Sequence, residues 1–267
     1  MIDDALWPLI EPLLPAPKPR RKKYPGRLSI ENRAALNGIL FVLKTGVRWS
    51  HLPASLGFGS GATCWQRLRE WQKAGVWQER HEVLLARLRG ADQIDSHTLL
   101  SIRRRGEPLG RAKNWAEPKD RTQPVSKHHI LVDANGIPTV AILSGANRND
   151  VTQLLPLVDS IAPIRGARGR PIQKPKAILA DRGYDSDPHR QVLRERGIKP
   201  IIARRRTGHG SGLREFRCVV ERTRSWLHNF RRLRIRFERR ADIHETLLKF
   251  ACSLVRWNSF RYAEKSF

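Results

Sequence analysis

Acidic residues, cysteines and long apolar runs are all scarce in this chain. Only 25 of its 267 residues are Asp or Glu, against 51 Lys and Arg. Its three cysteines, Cys64, Cys218 and Cys252, are scattered, which favours reduced thiols over disulfides or a thiolate metal site. The run GILFVL is far below the roughly 20 apolar residues that span a bilayer, and the start MIDDALW has no cationic leader. We therefore expect a cytoplasmic protein with no membrane partner.

The chain does contain enough apolar residues to fold and a large excess of positive charge. Hydrophobic residues make up 40% of the sequence, sufficient for one large domain or two modest ones. The formal net charge is +26 and the pI is near 11.3. Because the cations recur along the whole length, the positive surface belongs to the fold and indicates a polyanionic partner, with nucleic acid favoured over an acidic membrane surface.

Residues 1–89 have helical patterns and predict a DNA-binding domain. The segment 15–27, with four prolines and six cations, is a basic connector. Ser29 is the expected cap of the next helix, and Gly46 its expected end. A turn-rich stretch then leads to apolar residues at helical spacing in CWQRLREW, which is typical of a helix-turn-helix. A helical packing module remains the alternative for this region.

Residues 90–267 predict an α+β domain. Strands are expected in QIDSHTLLSI, KHHILV, IPTVAILSG, KAILA and KPIIAR, with a type I′ turn at Asn135–Gly136. Asp187 is the expected cap of a helix that ends before Gly197. The element order β-β-β-α-β-α-β-α-α is that of a ribonuclease-H-like mixed sheet flanked by helices, here preceded by the all-α helix-turn-helix-type domain.

Three acids stand out against the basic background. Asp181 follows an apolar strand, where ligands collect in open α/β sheets, although a turn role before Gly183 is as natural. Asp95 falls within a predicted strand, where Asp is disfavoured unless it faces solvent or function rewards it. Glu221 lies opposite the apolar stripe of its helix and shares its side with Arg217, Arg224 and His228; this pattern also suits a solvated face with salt bridges.

Three carboxylates brought together require a cation. Mg²⁺ prefers hard oxygen ligands and leaves coordination positions open for phosphate oxygens, so two ions, with Mn²⁺ as a substitute, would suit polynucleotide cleavage and strand transfer. Neither a zinc-protease helix nor a phosphate-binding loop ending in Gly-Lys-Ser/Thr is present, which argues against those two enzyme classes.

The sequence resembles the DDE transposases of bacterial insertion sequences, in the group named after insertion sequence five. LWPLIEPLLP, GILFVLKTGVRWSHLP and WQKAGVWQ resemble the N-terminal DNA-binding region of that family, whereas IDSH, SKHHILVDANGIP, ADRGYDSD and VVERTRSWLHNFRRL resemble its catalytic region. The resemblance implies that Asp95, Asp181 and Glu221 are the metal-binding catalytic triad. It also implies binding of the terminal inverted repeats, cleavage of the 3′ end and strand transfer into target DNA.

Phosphate contacts are expected from a set of basic residues around this triad. The family motif has a tyrosine and a lysine where this chain has Arg214 and His228, so binding of the DNA end is expected to be weaker or pH-sensitive. The expected DNA-binding residues are Lys127, Arg182, Arg214, Arg217, Arg224, His228, Arg231 and Arg232. A homodimer or larger assembly on double-stranded DNA follows from the need to pair two ends. A catalytically silent DNA-binding regulator and a metal-dependent nuclease without strand transfer remain alternatives.

Overall fold

The structure is a computed structural model that describes residues 1–16, 23, 28–90, 98–105, 126–164, 171, 174–206 and 216–264. Its first part is helical, as the sequence predicts. Short 3₁₀ turns lie at Glu11–Leu13, Trp49–His51 and Ala54–Leu56. The helices before the sheet are α1 (Trp7–Ile10), α2 (Asn32–Thr45), α3 (Gly61–Lys73) and α4 (Val76–Gly90).

The ends of α2 and α3 are set by local chemistry. Helix α2 ends at Gly46, which has φ of 75°, as expected. The predicted cap at Ser29 is wrong: the residue that precedes α2 is Glu31, and the Ser29 hydroxyl instead accepts a hydrogen bond from Arg67 on α3. Ser60 caps α3, since its Oγ accepts a hydrogen bond from the backbone N–H of Thr63 at 3.1 Å.

The second part is built on a mixed five-stranded sheet. Strands β1 to β3 pair antiparallel, whereas β4 pairs parallel with β1 and β5 parallel with β4. The order across the sheet is β3-β2-β1-β4-β5, which confirms the ribonuclease-H-like topology. The strands are β1 (Thr98–Arg105), β2 (Ser126–Val132), β3 (Pro138–Gly145), β4 (Ala177–Ala180) and β5 (Lys199–Ile202).

Helices cover both faces of this sheet. A 3₁₀ turn at Asp150–Gln153 precedes α5, and another at Arg182–Tyr184 follows β4. The helices are α5 (Leu154–Asp159), α6 (Asp187–Glu195), α7 (Arg217–His228), α8 (Arg231–Arg234) and α9 (Ala241–Glu264). Within the described ranges, no helix is long and apolar enough to cross a membrane.

The hairpin predicted between β2 and β3 is present, but its turn is not type I′. Gly136 has φ of 82°, whereas Asn135 does not adopt a positive φ. The Asp133 side chain explains the difference, because its Oδ1 accepts hydrogen bonds from the N–H groups of Asn135 at 3.0 Å and Ile137 at 2.7 Å. This buried carboxylate holds a longer loop than the dipeptide signal indicates.

The helix after β4 also begins one residue away from the expected cap. Ser186 precedes α6 in extended conformation, and Asp187 is the first helical residue, with Pro188 in the first turn. Gly197, with φ of 73°, follows the helix as predicted. Acidic Asp187 still complements the positive end of the helix dipole, so the sequence signal had the right chemistry but was misplaced by one position.

The hydrophobic core on one sheet face is continuous with that of the N-terminal helices. It joins Leu36 and Trp71 to Leu100 on β1 and Leu247 on α9. The Trp77 ring lies 5.2 Å from that of Phe250, which packs α4 along α9. The other face is covered by α5 and α6 through a separate cluster. The N-terminal helices and the sheet therefore share one hydrophobic core. The predicted domain boundary between residues 89 and 90 stays a prediction.

Candidate active site

Asp181 stands where a buried parallel strand reaches the surface. All four residues of β4 are buried, and Asp181 directly after them is exposed. Its Oδ1 accepts a hydrogen bond from the Gly183 N–H at 2.8 Å and so caps the short 3₁₀ turn. The turn role is therefore confirmed, and the carboxylate lies at the carboxyl end of β4, where its role in ligand binding stays a prediction.

The turn that carries Asp181 is anchored to the sheet by a buried polar chain. Tyr184 is fully buried, and its hydroxyl lies 2.7 Å from Nδ1 of His129 on β2. Nε2 of His129 lies 2.8 Å from the Ser144 hydroxyl on β3. A hydroxyl on each side of one imidazole fixes the ring and ties the turn to two neighbouring strands.

A second network fixes the far end of the same turn. The Asp185 carboxylate accepts hydrogen bonds from the Arg205 backbone N–H at 2.7 Å and from Nη2 of Arg190 at 2.6 Å. These donors, the backbone N–H foremost, lower the pKa of Asp185 below its ordinary value. Arg190 is buried and also donates to the Ile202 carbonyl on β5, so the segment after Asp181 is held on both sides.

Glu221 lies on the exposed side of α7, as the helical pattern predicts. Both of its carboxylate oxygens accept hydrogen bonds from Nη1 of Arg224, at 3.1 and 3.3 Å. On the opposite side, the buried Thr223 hydroxyl donates to the Gly136 carbonyl at 2.7 Å. The helix is thus seated against the loop between β2 and β3.

The described contacts do not join Glu221 to Asp181. Asp95, the third expected ligand, lies outside the described residues. Within the described ranges, no group of three or more His, Cys, Asp or Glu side chains is arranged to hold a metal ion. The oxygen donors of Asp181 and Glu221 match the preference of Mg²⁺ and Mn²⁺, but their present partners are Gly183 and Arg224.

The register of β1 bears directly on how a triad could form. Thr98 pairs with Ala177 at the start of β4, and Leu100 pairs with Leu179. Counting onward from those pairs, the position on β1 level with Asp181 is Ile102. The first described residue of β1 is therefore about 13 Å from the level of Asp181, at a rise of roughly 3.3 Å per residue.

The expected DNA-binding residues fall into two groups in the structure. Arg182 and Arg231 are exposed, and Arg224 and His228 are half-buried on α7. Lys127, in contrast, is largely buried and bonds Asp150 at 3.0 Å. Arg214 lies outside the described residues, and the side chain of Arg217 does too.

Arg232 differs from the rest because protein groups occupy its guanidinium. It is 4% exposed, and its Nη2 lies 2.6 Å from Oε1 of Glu238. Its Nη1 donates to the carbonyl oxygens of Val47 at 2.9 Å and Gly46 at 3.3 Å. The expected phosphate contact by Arg232 therefore does not fit this structure, in which the residue fastens the C-terminal part to the end of α2.

Sequence reasoning missed the residues that support the site. His129 and Tyr184 could not be paired from the sequence, because they are 55 positions apart and meet only through the sheet. The segment FRRLRIRFERR contains a single acid, Glu238, which was the sequence signal that could have indicated the Arg232 pair. A lone carboxylate among many cations is a natural counter-ion for a cation that becomes buried.

The comparisons with known proteins agree with the resemblance. Residues 2–81 match the family described as "Putative transposase of IS4/5 family", and residues 94–256 match the family described as "Transposase DDE domain". The chain is 59% identical over 185 residues to the "Putative transposase for insertion sequence element IS402" of Burkholderia cepacia, covering 68% of this chain and 88% of that protein.

Further similarities are partial or distant. The chain is 73% identical over 95 residues to the "Insertion element IS402 uncharacterized 16.2 kDa protein" of Burkholderia cepacia, covering 36% of this chain and 65% of that protein. The solved Mos1 strand transfer complex aligns with 90% of this chain and 77% of its own, at 11% identity and a TM-score of 0.36. The Mos1 paired-end complex with Mn aligns over 88% and 82%, at 12% identity and a TM-score of 0.27. By the family match over residues 94–256 and the 59% identity, the chain belongs to the DDE transposases of the IS4/5 family.

Proposed function

We propose that this protein binds the terminal inverted repeats of its insertion sequence and catalyses metal-dependent cleavage of the 3′ end, followed by strand transfer into target DNA. The observation that carries the proposal is the exposed carboxylate of Asp181 at the end of a buried parallel strand, on a turn anchored through His129 and Tyr184. A rigid carboxylate at that edge is what a metal-assisted phosphoryl transfer needs.

Asp95, Asp181 and Glu221 are the proposed metal ligands and catalytic residues. Two Mg²⁺ ions, or Mn²⁺ in their place, would supply charge neutralisation and activation of the attacking oxygen when bound. Glu221 is paired with Arg224 in this structure, so a DNA phosphate that attracts Arg224 would release the carboxylate for its catalytic role. Binding of DNA and completion of the site would then be coupled.

The DNA-binding surface of the protein is assigned from the exposure and the positive charge of its side chains. Arg182, Arg224, Arg231 and His228 are accessible enough to contact phosphates, and Arg214 and Arg217 belong with them by sequence. Such phosphate contacts increase the affinity for DNA and make it strongly dependent on salt, but they do not discriminate between DNA sequences. Recognition of the repeats is assigned to the N-terminal helices, with α3 capped at Ser60 as the element that enters the major groove.

Assembly and location follow from the same proposal. Two transposon ends must be brought together, so we expect a homodimer or larger assembly on DNA. The protein would act on the bacterial nucleoid in the cytoplasm. Sedimentation of the protein alone and with end DNA tests the assembly: a complex that never exceeds one chain bound to a single DNA end under all conditions would contradict it.

A catalytically silent DNA-binding regulator is the second candidate, and one observation favours it. The parallel register places Ile102 level with Asp181, and its neighbour in sequence is Arg103, so β1 has no acid at that level. Whether the protein cuts DNA is therefore the decisive measurement.

The experiment uses labelled end DNA, a target plasmid and Mg²⁺ or Mn²⁺. A transposase yields joined product, a nuclease yields cut product only, and a silent regulator yields a shifted band without cleavage. Asp181→Asn and Asp95→Asn should each abolish joining while leaving the shifted band, because one lost carboxylate weakens the metal site but not the phosphate contacts. Glu195→Gln, on the exposed end of α6, is the matched control and should join normally.

A further inference from the structure

One peptide unit beside Asp181 is held at both of its polar ends. This unit joins Arg182 to Gly183, and its N–H, which belongs to Gly183, donates to Oδ1 of Asp181 at 2.8 Å. Its carbonyl oxygen, which belongs to Arg182, accepts a hydrogen bond from Nε of Arg205 at 3.0 Å. Because a peptide unit is planar and rigid, an arginine that fixes the carbonyl also fixes the direction of the N–H.

The Arg205 guanidinium reaches the next carbonyl of the same turn as well. Its Nη2 lies 3.5 Å from the Gly183 carbonyl oxygen, so two donors of one planar group face two successive carbonyls. Hydrogen bonds from an ionised donor are stronger than those between neutral groups, and the rigid fork of a guanidinium sets their direction. The turn is therefore clamped by a single side chain.

The position of Arg205 is set by the sheet and by the turn itself. The Ala203 N–H donates to the Ala180 carbonyl at 3.1 Å, which continues the pairing of β5 with β4 up to the residue before Asp181. The Arg205 backbone N–H then donates to Oδ2 of Asp185 at 2.7 Å. These two bonds bring the chain after β5 back onto the turn, so the reach of the guanidinium to its carbonyls is built into the fold.

We propose that Arg205 is a positioning residue for the transposase reaction, which holds the Arg182–Gly183 peptide so that the Gly183 N–H keeps the Asp181 carboxylate in one orientation for metal binding. The assignment rests on the proposed role of Asp181 as a metal ligand. Partners behind a ligand orient it, and their loss typically weakens metal binding by about 10- to 100-fold. The chain thus uses one of its many arginines on the protein backbone instead of on DNA.

The first test measures hydrogen exchange of the Gly183 amide by NMR in the full chain without added metal. Arg205→Gln should make this amide exchange about tenfold faster, because the peptide is released and its bond to Asp181 opens more often. Arg204→Gln is the matched control, since it removes the same charge one position away, where the guanidinium pairs with Asp187 at 3.2 Å. Its Gly183 amide should exchange as in the wild type.

The second test measures the Mn²⁺ concentration that gives half-maximal cleavage of labelled end DNA. This concentration should rise at least about tenfold in Arg205→Gln and stay unchanged in Arg204→Gln. The rate at saturating Mn²⁺ should stay close to that of the wild type in both variants. Arg205→Lys keeps the charge but offers one ammonium in place of the planar fork, so it should recover only part of the Mn²⁺ affinity.

The outcomes separate this inference from the proposed function. An unchanged Gly183 exchange rate or an unchanged Mn²⁺ requirement in Arg205→Gln would each overturn the assignment, even if the wild type joins DNA. An Arg205→Lys protein equal to the wild type in both measurements would also overturn it, because the charge alone would then suffice. A wild type that binds end DNA but never cuts it would overturn the proposed function, whereas the exchange of the Gly183 amide reports on the Arg205 contact without any cleavage.

Discussion

The buried ion pair of Arg232 and Glu238 allows a quantitative test of how the two parts of the chain are joined. Glu238 is 8% exposed, and its Oε1 also accepts a hydrogen bond from Nε1 of Trp49 at 3.2 Å. Replacing Glu238 by Gln leaves the guanidinium of Arg232 buried without a counter-ion. Breaking a buried pair in this way costs about 3 to 5 kcal/mol of unfolding free energy.

The double variant separates charge from packing. In Arg232→Met with Glu238→Leu no charge remains buried, although the carbonyl oxygens of Gly46 and Val47 lose their donor and Nε1 of Trp49 loses its acceptor. The double variant should therefore cost less than the sum of Arg232→Met and Glu238→Leu measured singly, by about 2 kcal/mol, because each single variant leaves one buried charge unpaired.

The assay is urea unfolding followed by tryptophan fluorescence, with Arg240→Gln as the control. Arg240 pairs with Asp242 at 2.6 Å, but these side chains are 47% and 43% exposed, so the loss of this pair should cost far less unfolding free energy than the loss of Glu238. A Glu238→Gln protein as stable as Arg240→Gln would refute the idea that this pair fastens the N-terminal helices to the rest.

Three further outcomes are expected. Because the pKa of Asp185 is lowered in the fold, this carboxylate stabilises the protein fully above its unfolded pKa of about 3.9, and the stabilisation is lost as the pH falls through the folded value. Between pH 5 and 2.5, the unfolding free energy of Asp185→Asn should therefore decline less steeply than that of the wild type. Equal slopes would contradict this role of Asp185. His228→Lys should bind end DNA more tightly at pH 8, with the difference shrinking towards pH 6, in a fluorescence anisotropy titration; no difference at any pH would remove the role. Gly61→Ala should lower the melting temperature, because a Cβ there would lie 1.7 Å from the Trp49 carbonyl oxygen; an unchanged melting temperature would show that α3 can shift.

Periodicity and turn residues predicted the fold well. The order of strands and helices, the antiparallel pairing of β1 to β3 and the apolar side of α7 follow from spacing and local chemistry, and the mixed sheet follows from that element order. The errors lie where a side chain competes locally for the backbone. Ser29 bonds Arg67 instead of capping α2, and Asp133 holds the hairpin loop that Asn135–Gly136 was expected to form alone.

The candidate site was less predictable than the fold. The position of Asp181 could be inferred, because a buried run of residues ends there. Two features depend on tertiary contacts that the sequence does not show. One is the anchoring of the Asp181 turn by His129 and Tyr184, and the other is the burial of Arg232 against Glu238. Charge counting treats every arginine as a surface cation, whereas among the described residues three arginines, 190, 232 and 256, are as buried as core leucines.

The core shared by the N-terminal helices and the sheet has a geometric consequence. At the two chain ends Asp3 also bonds Arg261 and Trp257, so the first and last helices are tied as well. Among the described residues, α3 and the sheet that carries β4 belong to one packed core. If α3 binds the DNA end, the distance between the bound sequence and Asp181 is fixed by this packing. The cleavage position would then lie at a constant number of base pairs from the sequence that α3 binds.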